Sequence, residues 1–272
     1  MRNVLREKEA TLAANFILKS CPALVNQEPP IGIILGTGWG DVLEINKLAE
    51  IPFETIPGFS HLESLEGHAR QVVCGELNNR LVVVLRGRVH MNEAPSCPEV
   101  AKMVRLQVEM LCQLGVKTFI VTCAAGGLRG TFKVGEIAVV DGFVTVFAPE
   151  MPLWAGEFCS PEDVLSERLR QIALAQRGEL ITKEAAHIML RGPFFEGRKY
   201  DKEILARTNA KVVGMSLLPE ACVVALYEAE MLGLAFVTND DIGVHSHETN
   251  VANAKNAASL LGGYLTRIVG KI

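Results

Sequence analysis

Three cations occupy alternating positions in the segment LRGRVHMNEAPS, residues 85–96. Arg86, Arg88 and His90 follow the apolar run LVVV, and in a strand every second side chain lies on the same face. Arginine donates paired hydrogen bonds to phosphate or carboxylate oxygens, and each charge-assisted bond contributes roughly 1.5–3 kcal/mol net. The segment is therefore a candidate site for a small anion, and a solvated edge strand with scattered surface cations is the alternative.

A glycine-rich loop, ILGTGWGD at residues 34–41, is a second candidate for anion binding. It follows the apolar run IGIIL, and its glycines allow backbone amides and the Thr37 hydroxyl to approach an anion closely. The loop is neither a Walker loop, because no Gly-Lys-Ser/Thr follows, nor a full dinucleotide fingerprint. A tight turn without a ligand is the alternative interpretation.

Two more loops follow predicted strands. The small residues of VTCAAGGLRG, residues 121–130, allow a flat ligand or an anion to lie against the main chain, but tight packing explains them equally well. In VVGMSLLPEA, residues 212–221, Ser216 precedes a helical pattern, and helix N-termini favour anions through their free amides. A plain capping serine is the alternative there.

The composition excludes several classes of protein. The 272 residues carry a net charge of −4 with a pI near 5.9 and a mean hydropathy of +0.24, whereas nucleic-acid and membrane-surface binding need a basic excess. No apolar run approaches the roughly 20 residues that span a bilayer, and the first residues, MRNVLREKEATL, are polar. The seven cysteines show neither a CxxC pair nor metal-ligand spacing with histidine. We therefore expect a cytoplasmic protein with free thiols, no metal, and no nucleic-acid or membrane partner.

Alternating strands and helices predict the architecture. Short apolar runs predict strands at residues 31–35, 81–85, 118–122, 137–140, 187–190, 212–214 and 234–238, and helical patterns lie at 97–114, 160–176, 200–207, 217–232 and 249–268. Without a repeat or a long linker, residues 1–272 are expected to form one α/β domain. Its central sheet is predicted to be mixed and mostly parallel, with helices on both faces. Ligands in such sheets bind beyond the carboxyl ends of the strands, where all four loops lie.

Seven short motifs occur in a recognisable order: GTGWG, EGHAR, GRVHMNE, TCAAGG, GPFFEG, GMSLLPE and TND. The series resembles the trimeric purine nucleoside phosphorylase family, whose usual forms read GSGLG, GHAG, GRxHxYEG, TNAAGG, GPxFET, GMSxxPE and TN. The match runs from about Ile31 to the end of the chain's last predicted helix. It implies a nucleoside phosphorylase-like fold and phosphorolysis of purine nucleosides to a free purine base and ribose 1-phosphate, in purine salvage. It also implies a homotrimer with sites near the subunit interfaces, inorganic phosphate as co-substrate, and no cofactor.

The resemblance implies roles for individual residues. Those matching the family's phosphate-binding positions are Thr37, His68, Arg88, His90, Ala124 and Ser216. Glu196 matches the glutamate that accepts a hydrogen bond from N1–H of a 6-oxopurine, and Asn239 the asparagine that stabilises the departing base at N7 and O6. His90, Glu196 and Asn239 are therefore the expected catalytic residues. Phe195 and Met215 would pack around the base and ribose, and Arg86 lies outside the pattern, which favours a surface role.

Some positions depart from the family pattern, mainly around the ribose. Asn92 replaces a tyrosine that touches the ribose or phosphate, Ala94-Pro95 replaces a glycine and its neighbour, and Cys123 replaces an asparagine. An ungapped count from TN places the histidine for the ribose 5′-hydroxyl at Asn253, with His245 and His247 nearby. In the family a phenylalanine reaches into the neighbouring subunit's site, and Phe147 is a candidate for its counterpart.

Two alternative functions remain open on the sequence alone. The first is a 5′-methylthioadenosine or methylthioinosine phosphorylase, since Asp241 lies where the second aspartate of that relative's TDxD motif would fall. Glu196 and Asn239 favour 6-oxopurines over it. The second is a nucleoside-binding protein without turnover, which the altered ribose positions motivate and the retained phosphate-binding residues oppose.

Overall fold

The computed structural model describes residues 4–25, 28–59, 69–94, 96–154, 156–192, 194–197, 199–240 and 247–272, which form nine strands and seven helices. The strands are β1 (Ile31–Leu35), β2 (Asn46–Pro52), β3 (Gln71–Leu77), β4 (Arg80–Arg86), β5 (Thr118–Gly127), β6 (Ile137–Val144), β7 (Thr182–Met189), β8 (Val212–Gly214) and β9 (Glu230–Asn239). The helices are α1 (Val4–Ser20), α2 (Pro98–Gln113), α3 (Glu167–Ala175), α4 (Tyr200–Leu205), α5 (Leu218–Ala225), α6 (His247–Asn256) and α7 (Ala258–Val269).

All nine strands belong to one sheet, in the order β2-β3-β4-β1-β5-β8-β7-β6-β9. Because β9 also pairs with β5, strands β5, β8, β7, β6 and β9 close into a ring, and the other four extend from it as an open arm. The pairings β1–β4, β1–β5, β5–β9, β6–β7 and β7–β8 are parallel. The pairings β2–β3, β3–β4, β5–β8 and β6–β9 are antiparallel. The predicted mixed, mostly parallel sheet is confirmed.

Helices cover both faces of the sheet, as the sequence predicts. Side chains alternate between faces along each strand, and Ile34, Val83 and Leu85 lie in a buried cluster with residues of α1, α2 and α5. Val82 and Val84 point the other way, into a cluster with α3 and α7. Strands buried on both faces must be apolar at nearly every position, which is why β1 and β4 read as continuous apolar runs.

Helix α2 illustrates how local sequence sets an element's ends. Its first residue is Pro98, which fits the first turn because that position needs no intrahelical N–H bond. Beyond its last turn lies Gly115, with φ at +88°, a conformation that costs glycine little.

The structure corrects several predicted boundaries. The helix predicted over 217–232 ends at Ala225, and residues from Glu230 onward belong to β9, where the Glu230 N–H donates to the Lys117 carbonyl at 2.9 Å. The helix predicted over 249–268 is two helices, α6 and α7, and the helix predicted from 160 begins at Glu167. Strands β2 and β3 and helix α1 were not predicted. Within the described ranges, no helix has the length and apolar character to cross a bilayer.

Candidate active site

A cavity of about 400 Å³ lies at the carboxyl ends of β1, β4, β5, β8 and β9. Ten of the twelve predicted site residues line it: Thr37, Arg88, His90, Asn92, Ala124, Phe195, Glu196, Met215, Ser216 and Asn239. His68 falls outside the described residues, as do Pro95, Asp241 and His245. Segments far apart in the chain thus meet around one volume of small-molecule size.

The glycine loop after β1 packs directly on β5. The Gly36 N–H donates to the Thr122 hydroxyl at 3.1 Å, and the Trp39 indole N–H donates to the Cys123 carbonyl at 3.1 Å. A Cβ on Gly36 would lie 2.9 Å from the nearer guanidinium nitrogen of Arg88. The Thr122 carbonyl oxygen would be nearer still, at 2.5 Å, so the close approach of the β5 backbone requires glycine here. The loop presents Thr37 to the cavity.

Arg88 is held by a buried network at the floor of the cavity. It is 1% exposed and pairs with Glu220 of α5, with 2.5 Å between Nη1 and Oε1, and its Nη2 donates to the Thr122 carbonyl. A charge so buried is tolerated only when it is paired. Arg86 does not line the cavity: its half-buried side chain pairs with Asp41 at 3.1 Å and donates to the Gly40 carbonyl of the glycine loop at 3.1 Å.

His90 lines the cavity near Arg88 and carries a neutral imidazole that can donate a hydrogen bond. Burial, together with the charge of Arg88, lowers its pKa to about 4, while Glu220 acts in the opposite direction. Its Nδ1 accepts from the Asn92 N–H at 3.1 Å, which places the imidazole proton on Nε2. Glu93, which also lines the cavity, accepts the His90 backbone N–H at 2.6 Å and closes this short turn.

Asn239 lies at the end of β9 and is 9% exposed. Its Oδ1 accepts from the Thr238 hydroxyl at 3.2 Å. A Cβ on Gly126 of β5 would lie 2.8 Å from the amide nitrogen, so that glycine makes room for the side chain. The amide is thereby set as a fixed dipole at the cavity wall.

The opposite side of the cavity is built from the loop that follows β7. This loop contributes Glu196 and two exposed aromatic rings, with Phe194 62% and Phe195 45% exposed. The side-chain amide of Asn92 lies 3.1 Å from the sulfur of Met215, and a Cβ on Gly192 would meet both. Asn92 thus packs between the loop and Met215, within the turn of residues 90–93.

The structure does not place Asn253 at the described cavity. Its side-chain amide donates to the Thr238 carbonyl at 2.8 Å, which ties α6 to the end of β9. Asn250, one helical turn earlier and 7% exposed, lines the cavity instead. An ungapped count carries no information about how the helix is rotated, so it does not indicate which residue of α6 faces the cavity.

Two further buried residues, Cys123 and His187, lie in and behind the cavity wall. Cys123 lines the cavity, and burial raises the pKa of its thiol to about 12, so the sulfur stays protonated. His187 of β7 lies behind the wall, with Nε2 2.7 Å from where a Gly214 Cβ would be. Neither of its ring nitrogens has a hydrogen-bond partner among the described residues, and burial lowers its pKa to about 4.

Comparison with known proteins gives a consistent result. The sequence model described as Phosphorylase superfamily matches residues 30–270. Purine nucleoside phosphorylase 1 of Geobacillus stearothermophilus is 32% identical over 85% of this chain and 84% of its own length. Purine nucleoside phosphorylase of Bos taurus is 31% identical over 90% of both chains.

A solved structure is also similar over nearly its whole length. It is isoform 2 of purine nucleoside phosphorylase from Schistosoma mansoni, crystallised with cytosine and ribose-1-phosphate. The TM-score is 0.87 at 25% identity, and the match covers 97% of this chain and 96% of the other.

Proposed function

This chain belongs to the phosphorylase superfamily and, within it, to the purine nucleoside phosphorylases, and from that premise we propose that it cleaves 6-oxopurine nucleosides. Inosine, guanosine or xanthosine would react with inorganic phosphate to give the free base and ribose 1-phosphate, in purine salvage. The observation that carries the proposal is the meeting of Arg88, His90 and Ser216 with Glu196 and Asn239 in one cavity.

The first half of the reaction needs an oriented phosphate. Phosphate is already an anionic nucleophile, so the protein has only to hold it against ribose C1′ and remove part of its water. His90 supplies a neutral Nε2–H donor, Thr37 and Ser216 supply hydroxyls, and Arg88 supplies a positive charge. Neutrality of the imidazole matters because it fixes a donor without making a second buried cation beside Arg88.

The second half needs a place for the charge that develops on the departing purine. Cleavage of the glycosidic bond gives the ribose oxocarbenium character and leaves electrons on the base. The Asn239 amide is a preorganised dipole that stabilises this charge, which is the kind of interaction that lowers barriers most. Glu196 accepts the N1–H of a 6-oxopurine, whereas adenine has only an acceptor at N1.

Phosphate-dependent turnover of inosine, guanosine, xanthosine, adenosine and methylthioadenosine, assayed in parallel, tests the proposal. We expect ribose 1-phosphate from the 6-oxopurine nucleosides and none when phosphate is omitted. Turnover of methylthioadenosine alone would instead support the alternative phosphorylase. Purine nucleoside binding without turnover of any substrate would identify a binding protein and refute the enzyme.

We also propose a homotrimeric assembly. Support comes from apolar side chains that stay exposed in one segment, Val146 at 77%, Phe147 at 43% and Phe158 at 92%. Large exposed apolar groups of this kind are typical of surfaces that bind another chain. Light scattering is expected to give three times the 29.6 kDa chain mass, and a mass of 29.6 kDa would contradict the trimer.

Location in the cytoplasm and independence of any cofactor complete the proposal. Seven free cysteines support a reducing compartment. Full turnover after dialysis against a chelator, with phosphate as co-substrate, is the expected result for an enzyme that needs no metal.

A further inference from the structure

Arg70 adopts a backbone conformation that arginine rarely adopts. Its φ is +53°, in the left-handed region that favours glycine, and the residue is 8% exposed. The usual GHAG form, aligned on the EGHAR segment, has glycine at this position. An arginine here carries a conformational cost. Residues strained in this way persist only where the surrounding structure enforces the conformation, and they cluster at functional sites.

The main chain of Arg70 is fixed from both sides. Its N–H donates to the Arg86 carbonyl at 2.8 Å, and its carbonyl accepts from the Phe53 N–H at 2.9 Å. These bonds anchor the residue beside the end of β4, immediately before β3 begins. The strained conformation is thus held by tertiary contacts and aims the side chain at the turn that follows β4.

The side chain of Arg70 ends on Glu93. Its Nη2 lies 2.5 Å from Oε2 of Glu93, and the two side chains are 9% and 13% exposed. The other carboxylate oxygen of Glu93 accepts the His90 N–H at 2.6 Å. Since the Asn92 N–H in the same turn fixes Nδ1 of His90, the chain of contacts from Arg70 determines where the His90 Nε2–H points.

We propose that Arg70 is a positioning residue of the phosphate subsite, acting through Glu93 on His90. The inference rests on the proposed function and deepens it. Without Arg70, Glu93 becomes a nearly buried carboxylate that has lost its cation, and it gains by turning toward water. The turn then loosens and the His90 donor is misaligned, while Asn239 and the base side remain as they were.

Arg70→Gly is the central test, because glycine adopts the left-handed backbone conformation without strain while the whole side chain, with its guanidinium, is removed. We expect KM for phosphate to rise about tenfold and KM for inosine to stay within twofold. Arg70→Lys keeps a cation for Glu93 and is expected to hold KM for phosphate within threefold of the unmodified protein. Arg129→Gly is the matched control, since Arg129 also has positive φ, at +58°, but is exposed and does not line the cavity.

A double variant tests the route through Glu93. In a Glu93→Gln background, which has no carboxylate to pair, Arg70→Gly is expected to change KM for phosphate by less than twofold. A tenfold effect in that background would overturn the route. Equal rises in both KM values in Arg70→Gly, or no rescue by Arg70→Lys, would show a merely structural role and overturn the proposal.

Failure of the proposed function is distinguishable from failure of this inference. Absence of phosphate-dependent turnover in the unmodified protein would refute the function. Phosphate affinity, measured by calorimetry on the same proteins, would then decide the role of Arg70. A loss of about tenfold in Arg70→Gly supports it, and unchanged affinity overturns it.

Discussion

The two ends of the cavity are built in different ways. At the end proposed to bind phosphate, Arg88 and Glu220 are 1% and 2% exposed and are fixed at strand and helix ends. At the end proposed to bind the base, Phe194 and Phe195 are 62% and 45% exposed and come from a loop. The groups proposed for the anion are thus also part of the core, whereas the loop groups proposed for the base contribute little to the fold.

This difference leads to a general expectation for variants. A change at the phosphate end should disturb stability and turnover together, because each polar group there also satisfies a buried partner. A change at the base end should alter which nucleoside reacts while leaving the free energy of unfolding nearly unchanged.

Arg88→Met should give the largest effect. It removes a charge from the phosphate end and leaves Glu220 buried without its cation, which costs about 3–5 kcal/mol of unfolding free energy. We expect kcat/KM for phosphate to fall on the order of 10³-fold, measured beside urea unfolding. Arg177→Met, at an exposed arginine that does not line the cavity, is the control and should change kcat/KM less than threefold.

A second variant separates the two consequences of losing Arg88. In Arg88→Met/Glu220→Leu the unpaired carboxylate is gone, so stability should largely return while turnover stays low. Recovery of turnover together with stability would mean that Arg88 only supports the fold.

His187→Phe should give the next largest effect, on the pH dependence of stability. The folded pKa of His187, about 4, lies below the unfolded value near 6.5. Its neutral form therefore stabilises the fold fully above pH 6.5, and that contribution is lost as the pH falls toward 4. The lost contribution is up to about 3 kcal/mol.

The His187→Phe variant should not lose this unfolding free energy at low pH, because phenylalanine packs beside Phe143 and does not titrate. Urea unfolding of both proteins at pH 7, 5.5 and 4 measures the difference in their free energies of unfolding. Parallel stability curves for the two proteins would show that the buried imidazole does not carry the acid sensitivity.

Glu196→Ala should reduce 6-oxopurine turnover by about 5- to 150-fold, since an unpaired N1–H costs roughly 1–3 kcal/mol. Unfolding free energy should change by less than about 0.5 kcal/mol. Glu203→Ala, at an exposed glutamate of α4, is the control. Near-normal inosine kinetics in Glu196→Ala would remove this residue from the site.

The same contrast explains what the sequence could predict. Thr37, Arg88 and Ser216 were found because apolar runs locate the carboxyl ends of buried strands, where ligand groups gather. Asn250 lines the described cavity and Asn253 does not, because three helical residues leave the two side chains about 60° apart around the helix and about 4.5 Å apart along it, a difference that a count of residues does not resolve. The start of β9 was read as helix because a strand buried on both faces has no period-two signal.

Other features have no local sequence signal at all. The left-handed conformation of Arg70 is imposed by Arg86 and Phe53, both distant in the chain, against arginine's own preference. The unpaired imidazole of His187 depends on what the neighbouring strands β6 and β8 bring around it, including Phe143 and Gly214. Such positions are decided by tertiary packing, which single-residue propensities do not encode.

Asn239→Asp should give the smallest effect and is the closest test of the boundary between the two ends. Asn239 is 9% exposed, like the phosphate-end residues, yet it is proposed to touch the base. The added carboxylate accepts from a 6-amino group and repels the O6 of a 6-oxopurine, so the adenosine-to-inosine ratio of kcat/KM should rise about tenfold, or about 1.4 kcal/mol. Asn256→Asp, exposed on α6, carries the same change of charge and should leave the ratio unchanged. If Asn239→Asp raised KM for phosphate but left the ratio as it was, Asn239 would belong to the anion end, and the base would be recognised by the loop residues alone.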